Sequence, residues 1–190
     1  MFKVLKHSFC SKDYNIGDLS ALQKRRMSKI DKILYTCIKD INIQNCPIIF
    51  ASNYGEINRC IGLLSELSKD NLVSPTSFCK SVLNAPIGNI CIQQQNNSEI
   101  FAISSEFPTE TGFLSAFCKF DKYEKILILI YEEQIDEISY GSSFLVQKGD
   151  DISLSILDSS ENNSLELSKI YDKFILRENF VNGKFGWKFN

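Results

Sequence analysis

Apolar positions recur along this chain in two patterns, a helical stripe and a short unbroken run, and the two alternate. After Gly17-Asp18, the residues Met27, Ile30, Ile33, Leu34, Cys37 and Ile38 keep the 3.6-residue spacing of an amphipathic helix. Residues 46–52 (CPIIFAS) are then apolar almost without a break and end in small and polar side chains. That run predicts a strand buried on both faces, as in parallel sheets. Ile57, Cys60, Ile61, Leu64 and Leu67 mark a second amphipathic helix, followed by a loop through residues 69–76. Residues 78–94 read as helical but contain Pro86. A proline inside a helix costs about 3 kcal/mol, so the pattern predicts a break near Asn84. A new helix then starts with Asn84 as N-cap and Pro86 in its first turn.

Residues 99–104 (EIFAIS) are the next strand, followed by a helix from about Pro108 to Lys119. Residues 125–132 (KILILIYE) carry the strongest strand pattern of the chain. Residues 143–147 and 152–157, joined by Lys148-Gly149-Asp150-Asp151, predict an antiparallel hairpin. A polar linker over residues 159–164 leads to a last helix with Leu167, Ile170, Tyr171, Phe174 and Ile175 on one face. In the tail, Phe185, Trp187 and Phe189 alternate, as in an edge strand or docking strip. Strands alternating with helices make this an α/β layered domain. Residues 1–158 are expected to form its body, and residues 159–190 a helix and aromatic tail packed on it.

The 190 residues suffice for one domain with a proper core, and 44% hydrophobic against 23% charged residues is a globular balance. With Lys+Arg at 21 and Asp+Glu at 23, no cationic surplus is left for phosphate contacts, so no nucleic-acid partner is expected. The one basic cluster, Lys24-Arg25-Arg26, reads as a solvated helix face. The longest apolar run, residues 126–131, is far short of the roughly 20 residues of a membrane helix. The opening MFKVLKHSFCSKD lacks the apolar core of a secretory signal. Seven cysteines, with no CxxC pair, then read as reduced core residues of a cytoplasmic protein, with no metal and no cofactor implied.

The central segment resembles the N-terminal half of β-ketoacyl synthases in the thiolase superfamily. The similarity is greatest to short ketoacyl-synthase-like, chain-length-factor-like proteins of aryl-polyene-type pathways. It is carried by the strand ending Ala51-Ser52 with Gly55-Glu56 behind it, by residues 72–78 (LVSPTSF), by Ser81-Val82-Leu83-Asn84-Ala85 and Gly88, and by the strand–turn–helix of residues 99–117. The match runs from about Leu22 to Leu157. It implies half of a thiolase-like fold, a mixed sheet with helices on both faces.

The resemblance also says where chemistry would lie. The family's nucleophile is a cysteine at the tight turn between a strand and the N-terminus of a buried helix, where the helix dipole favours the thiolate. Here that turn reads Ile103-Ser104-Ser105-Glu106-Phe107-Pro108. Gapless alignment puts Ser105 at the nucleophile position, and a shift of one residue puts Glu106 there. Cys118 falls at the far end of the helix. The one histidine, His7, lies outside the matching segment, and the family's two catalytic histidines belong to a C-terminal half not represented here. A serine needs an adjacent base. Ser105 and Glu106 therefore read as a cap and a first-turn carboxylate. Leu83 stands where short homologues have a histidine.

These residues imply a non-catalytic subunit lacking the Cys-His-His set. By analogy with chain-length factors, it would assist a full-length ketoacyl synthase in fatty-acid-like or polyene (polyketide) synthesis on acyl carrier protein. The alternatives are a stand-alone homodimeric module binding an acyl or CoA group and, more remotely, an acyltransferase using Ser105 or a cysteine. Subunits of this superfamily pair through the strand before the nucleophile turn. Ile100, Phe101 and Ala102 are thus the expected interface, with Phe78, Val82 and Leu83 bounding a partner's tunnel.

Overall fold

The computed structural model describes residues 1–11, 13–134, 139–158 and 164–190. Among them are eight strands in one mixed sheet: β1 (Phe2–Cys10), β2 (Ile48–Ser52), β3 (Ile100–Ser104), β4 (Lys125–Glu133), β5 (Ser139–Lys148), β6 (Ile152–Ile156), β7 (Phe180–Asn182) and β8 (Phe185–Phe189). Seven helices accompany them: α1 (Ala21–Arg26), α2 (Lys29–Ile38), α3 (Ile57–Asp70), α4 (Pro75–Ser81), α5 (Ala85–Gln94), α6 (Pro108–Phe117) and α7 (Leu167–Leu176). The strand order is β3-β2-β4-β5-β1-β6-β8-β7. β2 runs parallel to β3 and β4, and the other pairings are antiparallel.

The unbroken apolar runs become strands covered on both sides, because successive side chains enter opposite layers. Ile48 and Phe50 of β2, with Leu127, Leu129 and Tyr131 of β4, pack under α2 and α5. Ile49 and Ala51, with Ile126, Ile128 and Ile130, pack under α6 and α7. In the second layer Gly112 lets α6 lie close on β4: a Cβ there would stand 2.8 Å from Ile128 Cγ2. The aromatic tail closes this layer. Trp187 is 2% exposed, with ring centroids 4.9 Å from Phe113 and from Phe174.

Four expectations change. The stripe from Met27 to Ile38 is buried, yet Met27 is extended and separates α1 from α2, each with its own serine capping box. Residues 143–147 and 152–157 form no hairpin. β1, unmarked by any clear alternation, lies between β5 and β6 and pairs with β5 from Phe2↔Lys148 to Cys10↔Gly141. The stripe on α3 points mostly outward: Ile61, Leu64 and Leu67 are exposed, and the one buried residue of the helix, Leu63, is not part of it. Pro86 does sit in the first turn of α5, but Asn84 makes no side-chain capping bond. Of the linker read at residues 159–164, all but Ser164 lie outside the described residues.

Candidate functional site: the β3 edge and the turn into α6

β3 ends the sheet, bonded to β2 in parallel register from Ile48↔Ile100 to Ser52↔Ser104. Past its end the Ser105 amide donates to Ser52 O at 3.1 Å, which tightens the entry into α6. The Ser105 hydroxyl is engaged twice: it shares a 2.7 Å hydrogen bond with Thr111 Oγ1 and accepts the Phe107 amide at 3.1 Å. It thus serves a helix start whose N-cap position is Phe107. Glu106 is exposed, and the first-turn carboxylate is Glu110 instead. Among the described residues no side-chain base bonds Ser105, Cys118 caps the other end of α6, and His7 on β1 meets the Tyr171 hydroxyl at 3.0 Å. Burial lowers the His7 pKa.

Glu110 is fully buried. Its Oε1 accepts Asn182 Nδ2 at 2.8 Å and Trp187 Nε1 at 2.9 Å, tying α6 to the β7–β8 hairpin. Burial pushes its pKa up, against the pull of those two donors. Sequence reading passed over Glu110, because a carboxylate inside an otherwise apolar helix gives no hint of partners some 70 residues away.

The six expected interface residues divide. Phe78, Val82, Ile100 and Ala102 are exposed, whereas Leu83 and Phe101 are partly buried against the two core layers. A groove of about 310 Å³ on one face of β3 brings Leu83, Ile100 and Ala102 together with Asn84 and Gly88 of the α5 start. Ile92, one turn beyond Gly88, is 79% exposed. On the other face, Phe101 and Ala102 line a groove of about 420 Å³ with Leu114 of α6 and with Cys118 at its C-cap. There Lys119 Nζ stands 3.7 Å from the Phe101 ring centroid, and Lys122 pairs with Glu99. An apolar strand edge between two grooves is a template for another strand, and the lysines blunt only one side of it.

Beyond the turn opens a cavity of about 650 Å³, at the carboxyl ends of β2 and β4 and against the starts of α6 and α7. Ile57, Pro108, Tyr140, Leu165, Leu167 and Ile170 give it apolar walls. Glu106, Glu132, Glu133 and Glu166 also line it, and no described lining residue is a lysine, arginine or histidine. Burial raises the Glu132 carboxyl to about 7, although it accepts the Asn53 amide at 3.3 Å. Glu133 is bonded by the Tyr131 and Ser139 hydroxyls and the Asn58 amide. Among the described residues no group of three or more His, Cys, Asp or Glu could hold a metal ion. No helix among them is long and apolar enough to cross a membrane.

Among solved structures the chain is similar to one from the complex of the ketosynthase ApeO with its chain length factor ApeC of Xenorhabdus doucetiae. The TM-score is 0.79 at 21% identity, covering 92% of this chain and 83% of that one, so the two are close in length. It is also similar to the ishigamide ketosynthase/chain length factor, with a TM-score of 0.57 at 9% identity over 70% of this chain and 50% of that one. A β-ketoacyl synthase from Burkholderia phymatum STM815 gives 0.51 at 11% identity, over 84% and 55% of the two chains. At these identities the likeness is one of fold. No curated protein sequence matches the chain. The family model of the β-ketoacyl synthase N-terminal domain matches residues 6–167, wider at both ends than the segment read from sequence and taking in His7. With most of its length inside that match and its sheet that of thiolase-like ketosynthases, the chain belongs to the β-ketoacyl synthase N-terminal domain family.

Proposed function

We propose that this chain is a non-catalytic, chain-length-factor-like subunit. It pairs in the cytoplasm with a full-length β-ketoacyl synthase and assists fatty-acid-like or polyene (polyketide) synthesis on acyl carrier protein. The observation that carries this is the turn into α6. A condensing enzyme needs a free thiolate there, whereas the turn offers Ser105 or, with a shift of one residue, Glu106, and the Ser105 hydroxyl is bonded to Thr111 and to the Phe107 amide. The exposed edge of β3, with a groove on each face, supports pairing with another subunit. Carboxylates around the nearby cavity disfavour the phosphates of CoA, which weighs against a stand-alone CoA-binding module.

Two measurements test this. Incubated with acyl-carrier-protein substrates, the isolated protein should consume no malonyl groups. Turnover that Ser105→Ala abolishes would refute the non-catalytic reading. Ala102 is exposed on the edge, so Ala102→Lys should leave the fold intact and prevent co-purification with a co-expressed β-ketoacyl synthase partner. If the variant folds and still co-purifies, β3 is not the interface.

A further inference from the structure

Gly141 lies on β5 directly opposite Cys10, the last residue of β1, so the two share one face of the sheet. That face is covered by α2, and the missing Cβ is what lets the helix settle there. An added one would stand 2.5 Å from Ile33 Cγ2 and 3.6 Å from Cys37 Sγ. The close approach brings a sulfur of the helix to a sulfur of the strand: Cys10 and Cys37 belong to one buried cluster, and the Cys37 thiol donates a hydrogen bond to Cys10. That bond, helped by one from Thr36, holds the Cys10 thiol below its usual range against the pull of burial and of Asp13. Cys37, which supplies the proton, is held well above its own. A sulfur inclined to ionise beside one that keeps its proton is the pairing of a reactive thiol with a resolving one.

We infer that Cys10 and Cys37 form a dithiol site that reacts with a small hydroperoxide and closes to a disulfide between β1 and α2. The Cys10 thiolate attacks one peroxide oxygen and the O–O bond breaks. Hydroxide leaves, takes up the proton that Cys10 gave away and becomes water, while Cys10 becomes a sulfenic acid. The Cys37 sulfur then attacks the Cys10 sulfur, the S–O bond breaks, and the departing hydroxyl carries off the Cys37 proton as a second water. Two thiols have lost two electrons and two protons, and one hydrogen peroxide has been reduced to two waters. Cys10 is 5% exposed where its strand ends and Cys37 is 2% exposed, which favours an oxidant scarcely larger than water. Cys79 and Cys118 are more open, but neither hydrogen-bonds another thiol among the described residues. The inference does not depend on which subunit the chain pairs with.

The test treats the whole chain, fully reduced and then freed of reductant, with a few equivalents of hydrogen peroxide at pH 7.5. Alkylation under denaturing conditions and peptide mapping should show the free thiols falling from seven to five, with one bond joining Cys10 to Cys37 and dithiothreitol restoring all seven. That bond should form at least tenfold faster than the Cys79 or Cys118 thiol is lost. Cys37→Ser keeps a donor beside Cys10 but cannot resolve a sulfenic acid, so its Cys10 peptide should gain oxygen and no bond should form. Both thiols kept in the parent chain, Cys79 or Cys118 oxidised ahead of Cys10, or a bond mapped elsewhere would each overturn the assignment, as would an unmodified Cys10 in folded Cys37→Ser. If Cys37→Ser does not fold, the mapping of the parent chain decides alone.

Discussion

Removing the Trp187 side chain should cost more stability than any exposed substitution in the chain. Trp187→Ala loses the transfer energy of a large buried ring and leaves a void, together about 3–5 kcal/mol. The ring centroids of Phe113 and Phe174 at 4.9 Å and of Phe180 at 5.7 Å each lose an aromatic partner, at about 0.5–1.5 kcal/mol apiece. Glu110 Oε1 also loses its 2.9 Å donor inside a fully buried site. These effects overlap, and about 5 kcal/mol is expected against a total stability of about 5–15 kcal/mol. Trp187→Phe keeps much of the ring and loses the N–H, so it should cost about 1–3 kcal/mol, the penalty for a buried acceptor short of a partner. Urea unfolding followed by far-ultraviolet circular dichroism measures both, because Trp187 is the chain's one tryptophan and fluorescence would vanish with it. A cost below about 1.5 kcal/mol for Trp187→Ala at unchanged m-value would refute the reasoning. The tail would then be a loosely held strip and not part of the core.

Glu132 has its folded-state carboxyl raised from 4.5 to about 7, so its stabilising contribution is complete below pH 4.5 and is lost as pH rises through 7. Glu132→Gln should therefore melt like the parent at pH 5 and several degrees higher at pH 8.5; no gain at pH 8.5 would contradict a buried, reluctantly ionised carboxyl. Gly112→Ala would add helix propensity worth about 1 kcal/mol on an exposed helix. Its Cβ would meet Ile128 at 2.8 Å and Ile130 at 3.2 Å, so thermal unfolding should register a net loss of about 1–2 kcal/mol. Under denaturing, non-reducing conditions, thiol titration should count all seven cysteines as free, and a lower count would mean a bond or a bound metal.

How far the fold was legible follows from how local its signals are. β2 and β4 were plain because a strand covered on both faces needs an unbroken apolar run, and Pro86 and Pro108 marked helix starts through the one position a proline tolerates. β1 went unread because Lys3, Lys6 and His7 interrupt its apolar residues and its register shifts between Val4 and Lys6, so no clean alternation exists. Missing it produced the false hairpin, since neighbouring strands ordinarily pair. On α3 the spacing was helical as read, but spacing alone cannot say which body covers the stripe, and most of it faces away from this one. The turn at Ser105 could be located by its place between strand and helix. The cavity beside it could not, because its walls come from segments more than 100 residues apart.

The place of β1 also governs how the sheet can be made. It is the first strand in chain order, yet it is the seam between β5 and β6, and its ladder reaches from Phe2 to Lys148. Until residues 139–156 are available, β1 has no partner, and β5 and β6 then have no neighbour on their inner sides. Closing a seam across about 140 residues is a late step of high contact order, which slows folding and leaves unpaired edges open to other chains meanwhile. Refolding from denaturant should thus be slow and concentration-sensitive. A charged substitution at Phe2, which is buried against Phe113 at the end of this seam, should lower the yield of soluble protein more than its place in the first strand would suggest.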